Sequence, residues 1–100
     1  MIARMWHGVV PATQSEEYLN RMRKVALPDY RSISGNSGAF CLYRVEGAVA
    51  HFEMLTFWDD VDAIKRFAGE DFELAKYYDF DPAFLVELEH NVRHYTVYND

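Results

Sequence analysis

The chain has 100 residues, half of them hydrophobic and 16% aromatic, with a single cysteine and a formal net charge of −6. That length fits one domain, 1–100, with a core that is adequate but not generous. The acidic balance, with no basic stripe beyond Arg21, Arg23 and Lys24, argues against nucleic acid as a partner; one cysteine excludes a disulfide framework; no apolar run reaches the ~18–20 residues of a membrane span.

The amino end, MIARMWHGVV, reads as a strand and not as a leader peptide, so a soluble cytoplasmic protein is expected. Along it Ile2, Arg4 and Trp6 share one face, and Ala3, Met5, His7 and Val9 the other. Gly8 marks a bulge or a close approach of another group to the backbone, and Pro11 closes the strand. Thr13 to Glu16 has the capping-box pattern. The helix behind it carries Tyr18, Leu19, Met22, Val25 and Ala26 on one face, and Pro28 stops or kinks it. Asp29 to Gly38 has the composition of a mobile loop.

Ala39 to Val45 and Val49 to Trp58 form a hairpin through a tight turn at Glu46-Gly47. A two-residue turn there sets Leu42 opposite His51, Arg44 opposite Val49 and Phe40 opposite Glu53. From Val61 the period becomes helical through Ile64, Phe67 and Ala68, with Asp59 or Asp60 as cap and Gly69 at the far end. A shorter helical piece is expected from Asp71 to Tyr78. Asp81-Pro82 opens another short turn, Leu85 to Asn91 reads as loop or distorted strand, and Val92 to Tyr98 is the last strand. Cys41, inside a strand, is expected to act as a small buried hydrophobe.

This order predicts an α+β, ferredoxin-like antiparallel sheet with helices on one face. The middle strands are apolar at nearly every position, which predicts burial on both faces. A homodimer whose two sheets pack face to face covers the second surface.

The stretch LTFWDDVDAIKRFAGEDFELAKYY, with the opening MIARMWHGV and the closing VRHYTVY, resembles the antibiotic biosynthesis monooxygenase-like family of the dimeric α/β-barrel superfamily. The resemblance spans essentially the whole chain. It implies cofactor-free oxygenation of phenols and quinols, or haem binding and degradation, in a pocket between sheet and helices. Trp58 matches the tryptophan that the quinol oxygenases place at this strand end. The asparagine they place four residues before it is Met54 here, and their later tyrosine falls on Ile64. In the haem-degrading branch the tryptophan that ruffles the porphyrin falls on Phe67, and the histidine ligand of the iron falls on Tyr77.

Trp6, Trp58, Phe67 and Tyr77 are therefore the expected walls of a site for a small apolar or aromatic ligand, although Trp58 also suits a core plug at the strand–helix corner. His94 and His7 are the candidate catalytic bases, an imidazole near a phenol being suited to proton abstraction close to neutral pH. No metal or other cofactor is expected. His90 and His94 have the i, i+4 spacing of a helical metal pair, but on a strand that spacing separates them by about 13 Å. The leading expectation is a small-molecule enzyme resembling cofactor-independent monooxygenases. A ligand-binding or stress-response module of the same fold, and a haem protein, are the alternatives.

Overall fold

Alternating side chains along Ile2–Pro11 (β1) and Val49–Trp58 (β3) divide one sheet into two unlike faces. The computed structural model describes residues 1–99. Arg4, Trp6 and Val10 on β1, and Ala50, Phe52, Met54, Thr56 and Trp58 on β3, are all buried. Met5, His7, Val9, His51, Glu53, Leu55 and Phe57, which point the other way, are only half-buried. Asn36–Glu46 (β2) and Arg93–Thr96 (β4) complete a four-stranded antiparallel sheet in the order β2-β3-β1-β4. This is the predicted α+β, ferredoxin-like arrangement.

Three helices supply the core opposite the buried face: Ser15–Arg21 (α1), Leu27–Ser32 (α2) and Val61–Ala68 (α3). Tyr18, Met22, Ala26, Tyr30, Ile64 and Phe67 meet Trp6, Phe52, Met54 and Trp58 in one cluster. Asp60 caps α3 by accepting the Ala63 N–H at 2.9 Å, which satisfies one of the free donors of the first turn. Gly69 ends it at φ +88°, a backbone conformation that favours glycine, with its N–H donated to the Lys65 carbonyl. A last short helix, Asp81–Phe84 (α4), stands alone in an otherwise irregular segment.

Gly8 is a close approach. A Cβ there would lie 2.4 Å from Cη2 of Trp6 and 2.8 Å from Cδ2 of Leu85, so the indole is folded against bare backbone.

Several local expectations fail, each for a physical reason. The capping box does not form: Ala12–Gln14 is a 3-10 turn that puts Thr13 inside it, and the Ser15 hydroxyl donates back to the Ala12 carbonyl at 2.8 Å. Pro28 does not end the helix. A π-turn over Met22–Ala26 precedes it, and this wider turn accommodates a residue without an N–H as the helix runs on into α2. The extra residue in that turn rotates the buried face. Val25 is left 38% exposed, while Tyr30, assigned from composition to a mobile loop, is buried at 3%.

The hairpin turns at Gly47 and Ala48 instead of Glu46 and Gly47, so Leu42 opposes Glu53, Arg44 opposes His51 and Phe40 opposes Leu55. A two-residue offset preserves which face each side chain occupies. The helix expected from Asp71 to Tyr78 is also missing. Ala75 N–H donates to the His90 carbonyl and Val92 N–H to that of Glu73, both at 2.9 Å, so backbone groups a helix would have used are taken by a distant strand-like partner. No helix is long and apolar enough to cross a membrane among the described residues.

Candidate functional site

The helix-side face of the sheet collects the aromatic walls. β1 presents Trp6, β3 presents Met54 and Trp58, α2 presents Tyr30, and α3 presents Phe67. The segment 70–91 then lies across them as a cover. Trp6 meets Tyr77 edge-on at 6.0 Å, and Phe67 packs between Trp58 at 5.7 Å and Tyr30 at 4.6 Å. Trp58 is fully buried, its indole N–H donated to the Thr56 hydroxyl at 2.8 Å. It forms the floor of the cleft. Between sheet and cover the remaining cavity is only about 10 Å³, lined by Trp6, Met22, Ala26, Tyr30, Met54, Lys76, Tyr78 and Asp81. That is room for one water at most.

Polar ties hold the cover down. Asp81, 1% exposed, accepts the Tyr18 hydroxyl at 2.7 Å and the Tyr78 N–H at 2.6 Å. Burial pushes its carboxyl up, and the two hydrogen bonds oppose that rise. The Tyr78 hydroxyl donates to Asp29 at 2.6 Å, and the Lys76 ammonium stands 3.6 Å from the same carboxylate. Burial and the bond to Asp29 both raise the Tyr78 phenol. Tyr77 donates its hydroxyl to the Glu89 carbonyl, and burial pushes its phenol up to about 12.

His94 on β4 stands opposite Arg4 on β1, so both share the helix-side face. The imidazole meets Phe72 edge-on at 5.3 Å, and its Nε2 is buried without a hydrogen-bond partner. Burial, then the charge of Arg4, lowers its pKa from 6.5, against a smaller opposing effect of Glu73. The ring is therefore neutral at neutral pH and able to accept a proton. Arg4 Nε and Trp6 Nε1 are likewise buried and unpartnered.

His7 lies on the other face. Its Nδ1 is 2.5 Å from a Glu89 carboxylate oxygen, and its Nε2 is 3.0 Å from Nδ1 of His51. The two imidazoles stack at 5.3 Å. A concavity of about 490 Å³ opens beside them, lined among others by Met5, Glu53, Arg93 and Tyr95. Of the pairings that strands β1 and β4 allow between His7 or Trp6 and His94 or Tyr95, opposite parity keeps His7 from His94, while His7 and Tyr95 line the same concavity. Trp6, Trp58, Phe67, Tyr77 and His94 are brought to one face. No group of three or more metal-type ligands occurs among the described residues.

Arg4, Lys76 and Asp81 were missed as site residues. Only Arg4 had a signal, since alternation already set it beside Trp6 on the strand. Lys76 and Asp81 act through a cover whose path no periodicity reveals. Cys41, half-buried and facing the helices, has its thiol pushed up to about 11 by burial, which makes it a poor nucleophile.

Comparison with solved structures finds the same architecture over nearly the whole length. A Bacillus cereus protein named as a candidate antibiotic biosynthesis monooxygenase superposes with a TM-score of 0.67 at 14% identity, covering 99% of this chain and 96% of that one. The fold is that of the antibiotic biosynthesis monooxygenase-like group. A MhuD variant with two manganese protoporphyrin IX molecules bound per active site superposes equally well, with a TM-score of 0.67 at 18% identity and coverage of 100% and 97%. PA3566 from Pseudomonas aeruginosa gives 0.60 at 18%, covering 98% and 92%. Comparison with family models and with curated proteins finds no match. At these identities the monooxygenase-like architecture is shared, and chemistry has to be argued from the site.

Proposed function

We propose that this monooxygenase-like chain is a small-molecule enzyme acting on a planar phenol held between sheet and cover, with molecular oxygen as oxidant and no tightly held metal. The observation that carries the reading is His94: a neutral imidazole with a buried, unpartnered Nε2 on the aromatic face. It takes the phenolic proton, and the resulting phenolate is electron-rich enough to pass one electron to oxygen. Recombination at a ring carbon and loss of water then leave a quinone, so one phenol and one oxygen give one quinone and one water. Trp6, Phe67 and Tyr77 orient the ring, and Trp58 holds Phe67 in place. The outer face, with Phe40 53% and Leu42 44% exposed beside Leu55 and Phe57, is covered by a second copy in a homodimer.

Oxygen uptake across a panel of polyphenols tests this. His94→Gln is expected to lower the rate by about 10²-fold or more. Because burial lowers the imidazole pKa, the acid limb of the wild-type rate is expected below the ordinary histidine range, and the variant should lack it. An unchanged rate in His94→Gln removes the assigned base.

A second reading, ligand binding without chemistry, is favoured by the buried donors of Arg4 and Trp6 that no acceptor meets. Retained binding without oxygen consumption would select it. The residues do not fit a haem: Tyr77, which falls where the resemblance puts the iron ligand, already donates its hydroxyl to the Glu89 carbonyl.

A further inference from the structure

Arg4 is the one strongly basic group in the buried layer, and its position is costly. The side chain is 1% exposed, donates a single side-chain hydrogen bond, from Nη2 to the Leu74 carbonyl at 3.1 Å, and leaves Nε unpartnered. It forms no ion pair among the described residues, where the recorded pairs involve His7, Arg44, Lys65 and Lys76. A buried charge without a partner is strongly unfavourable, and a guanidinium does not escape by losing its proton.

A second cation stands on the same ring. Arg4 lies 5.4 Å from the centroid of Phe67 and the Lys76 ammonium 4.2 Å from it. Lys76 also borders the small cavity, as does Trp6, whose indole N–H has no acceptor. Lys76 is served by the Phe67 carbonyl at 3.2 Å and by Asp29, so the buried donors left without an acceptor are those of Arg4 and Trp6, two residues apart on the same face of β1. Asp29 and Asp81, the nearby carboxylates, are already engaged by Tyr78, Lys76 and Tyr18.

We infer that this cleft is built for an aromatic carboxylate, with the carboxylate received by Arg4 and the Trp6 indole while its ring packs on Phe67. The inference rests on reading the cleft as a ligand site, and it names the class of ligand. The planar guanidinium offers a carboxylate two parallel hydrogen bonds, and the Trp6 indole N–H supplies a further donor. A monoanion suits the pocket better than a dianion, because Asp29 and Asp81 add negative charge at its border. Entry requires Tyr78 and Lys76 to swing aside. Both are only half-buried, and the Tyr78–Asp29 bond is the tie that must open.

The test compares benzoate with its neutral isostere benzamide, using thermal unfolding and tryptophan fluorescence of the full chain. Wild type is expected to bind benzoate about 10–100-fold more tightly, the range for hydrogen bonds to a charged partner. The ratio should fall to near one in Arg4→Met, which removes an unpaired buried charge and is expected to fold at least as well as wild type. It should stay at the wild-type value in Arg44→Met, a cation on the outer face. Because the wild-type ratio needs no variant, a folding defect in Arg4→Met leaves the test decisive. Equal binding of benzamide and benzoate overturns the anion site and leaves the aromatic cleft standing. Benzoate preference without oxygen uptake on any phenol leaves the anion site standing and removes the oxidation. Binding of neither compound removes both.

Discussion

Trp58→Ala is expected to destabilise the protein by about 3–5 kcal/mol, the range for emptying a buried tryptophan site. For a domain of this size that is a large part of the whole folding free energy and lowers the melting temperature by ~15–30 °C. The indole is fully buried, anchored to Thr56 and packed on Phe67, so its loss opens a cavity under both the sheet and α3. It also unseats the ring against which Arg4 and Lys76 lie. Trp58→Phe keeps most of the volume and gives up the bond to Thr56, at a cost of about 1 kcal/mol. Thermal unfolding followed by circular dichroism distinguishes the two. A small loss in Trp58→Ala would mean that the floor of the cleft is plastic, and the site would have to be redrawn.

The second large effect concerns the opposite face. Phe40→Asp combined with Leu42→Asp is expected to convert the proposed dimer entirely to monomer, with the circular dichroism spectrum little changed. Both side chains point away from the helices and are exposed, and Phe40 packs edge-on to Phe57 at 6.3 Å. In a two-fold interface each substitution appears twice, so four carboxylates would enter an apolar contact at once. Light scattering gives the masses directly. A wild-type protein that is already monomeric at working concentration would remove the dimer and the reason for this apolar face.

How the fold could be read from the sequence follows from which signals are local. Alternation in β1 is local, and it assigned Arg4 and Trp6 to one face and His7 to the other, as the structure has them. The hairpin register was off by two residues without moving any side chain to the wrong face, because pleat parity survives an even shift. The helix after β1 was harder. One extra residue in the π-turn over Met22–Ala26 turns Val25 off the buried side and brings Tyr30 onto it, and helical periodicity carries no mark of it. The cover was least legible. Residues 71–78 have the pattern of a helix, but the backbones of Glu73 and Ala75 pair with His90 and Val92, a contact between segments about 17 residues apart that no local preference reports. The site shares this division. Its walls came from the family resemblance together with the aromatic content of the chain, whereas Lys76 and Asp81 depend on the course of the cover.

The two tryptophans allow the most direct test of the claim that ligand enters between sheet and cover. Their indole N–H groups differ: that of Trp58 is held by Thr56, and that of Trp6 is buried without an acceptor. Titration with an aromatic carboxylate, followed by NMR of the indole N–H signals and the histidine rings, should move the Trp6 signal strongly and the His94 ring with it. The Trp58 indole should shift less, and the His7 and His51 rings hardly at all. A Trp6 indole that stays in place while the His7 and His51 rings move would put the ligand on the other side of the sheet and contradict the account.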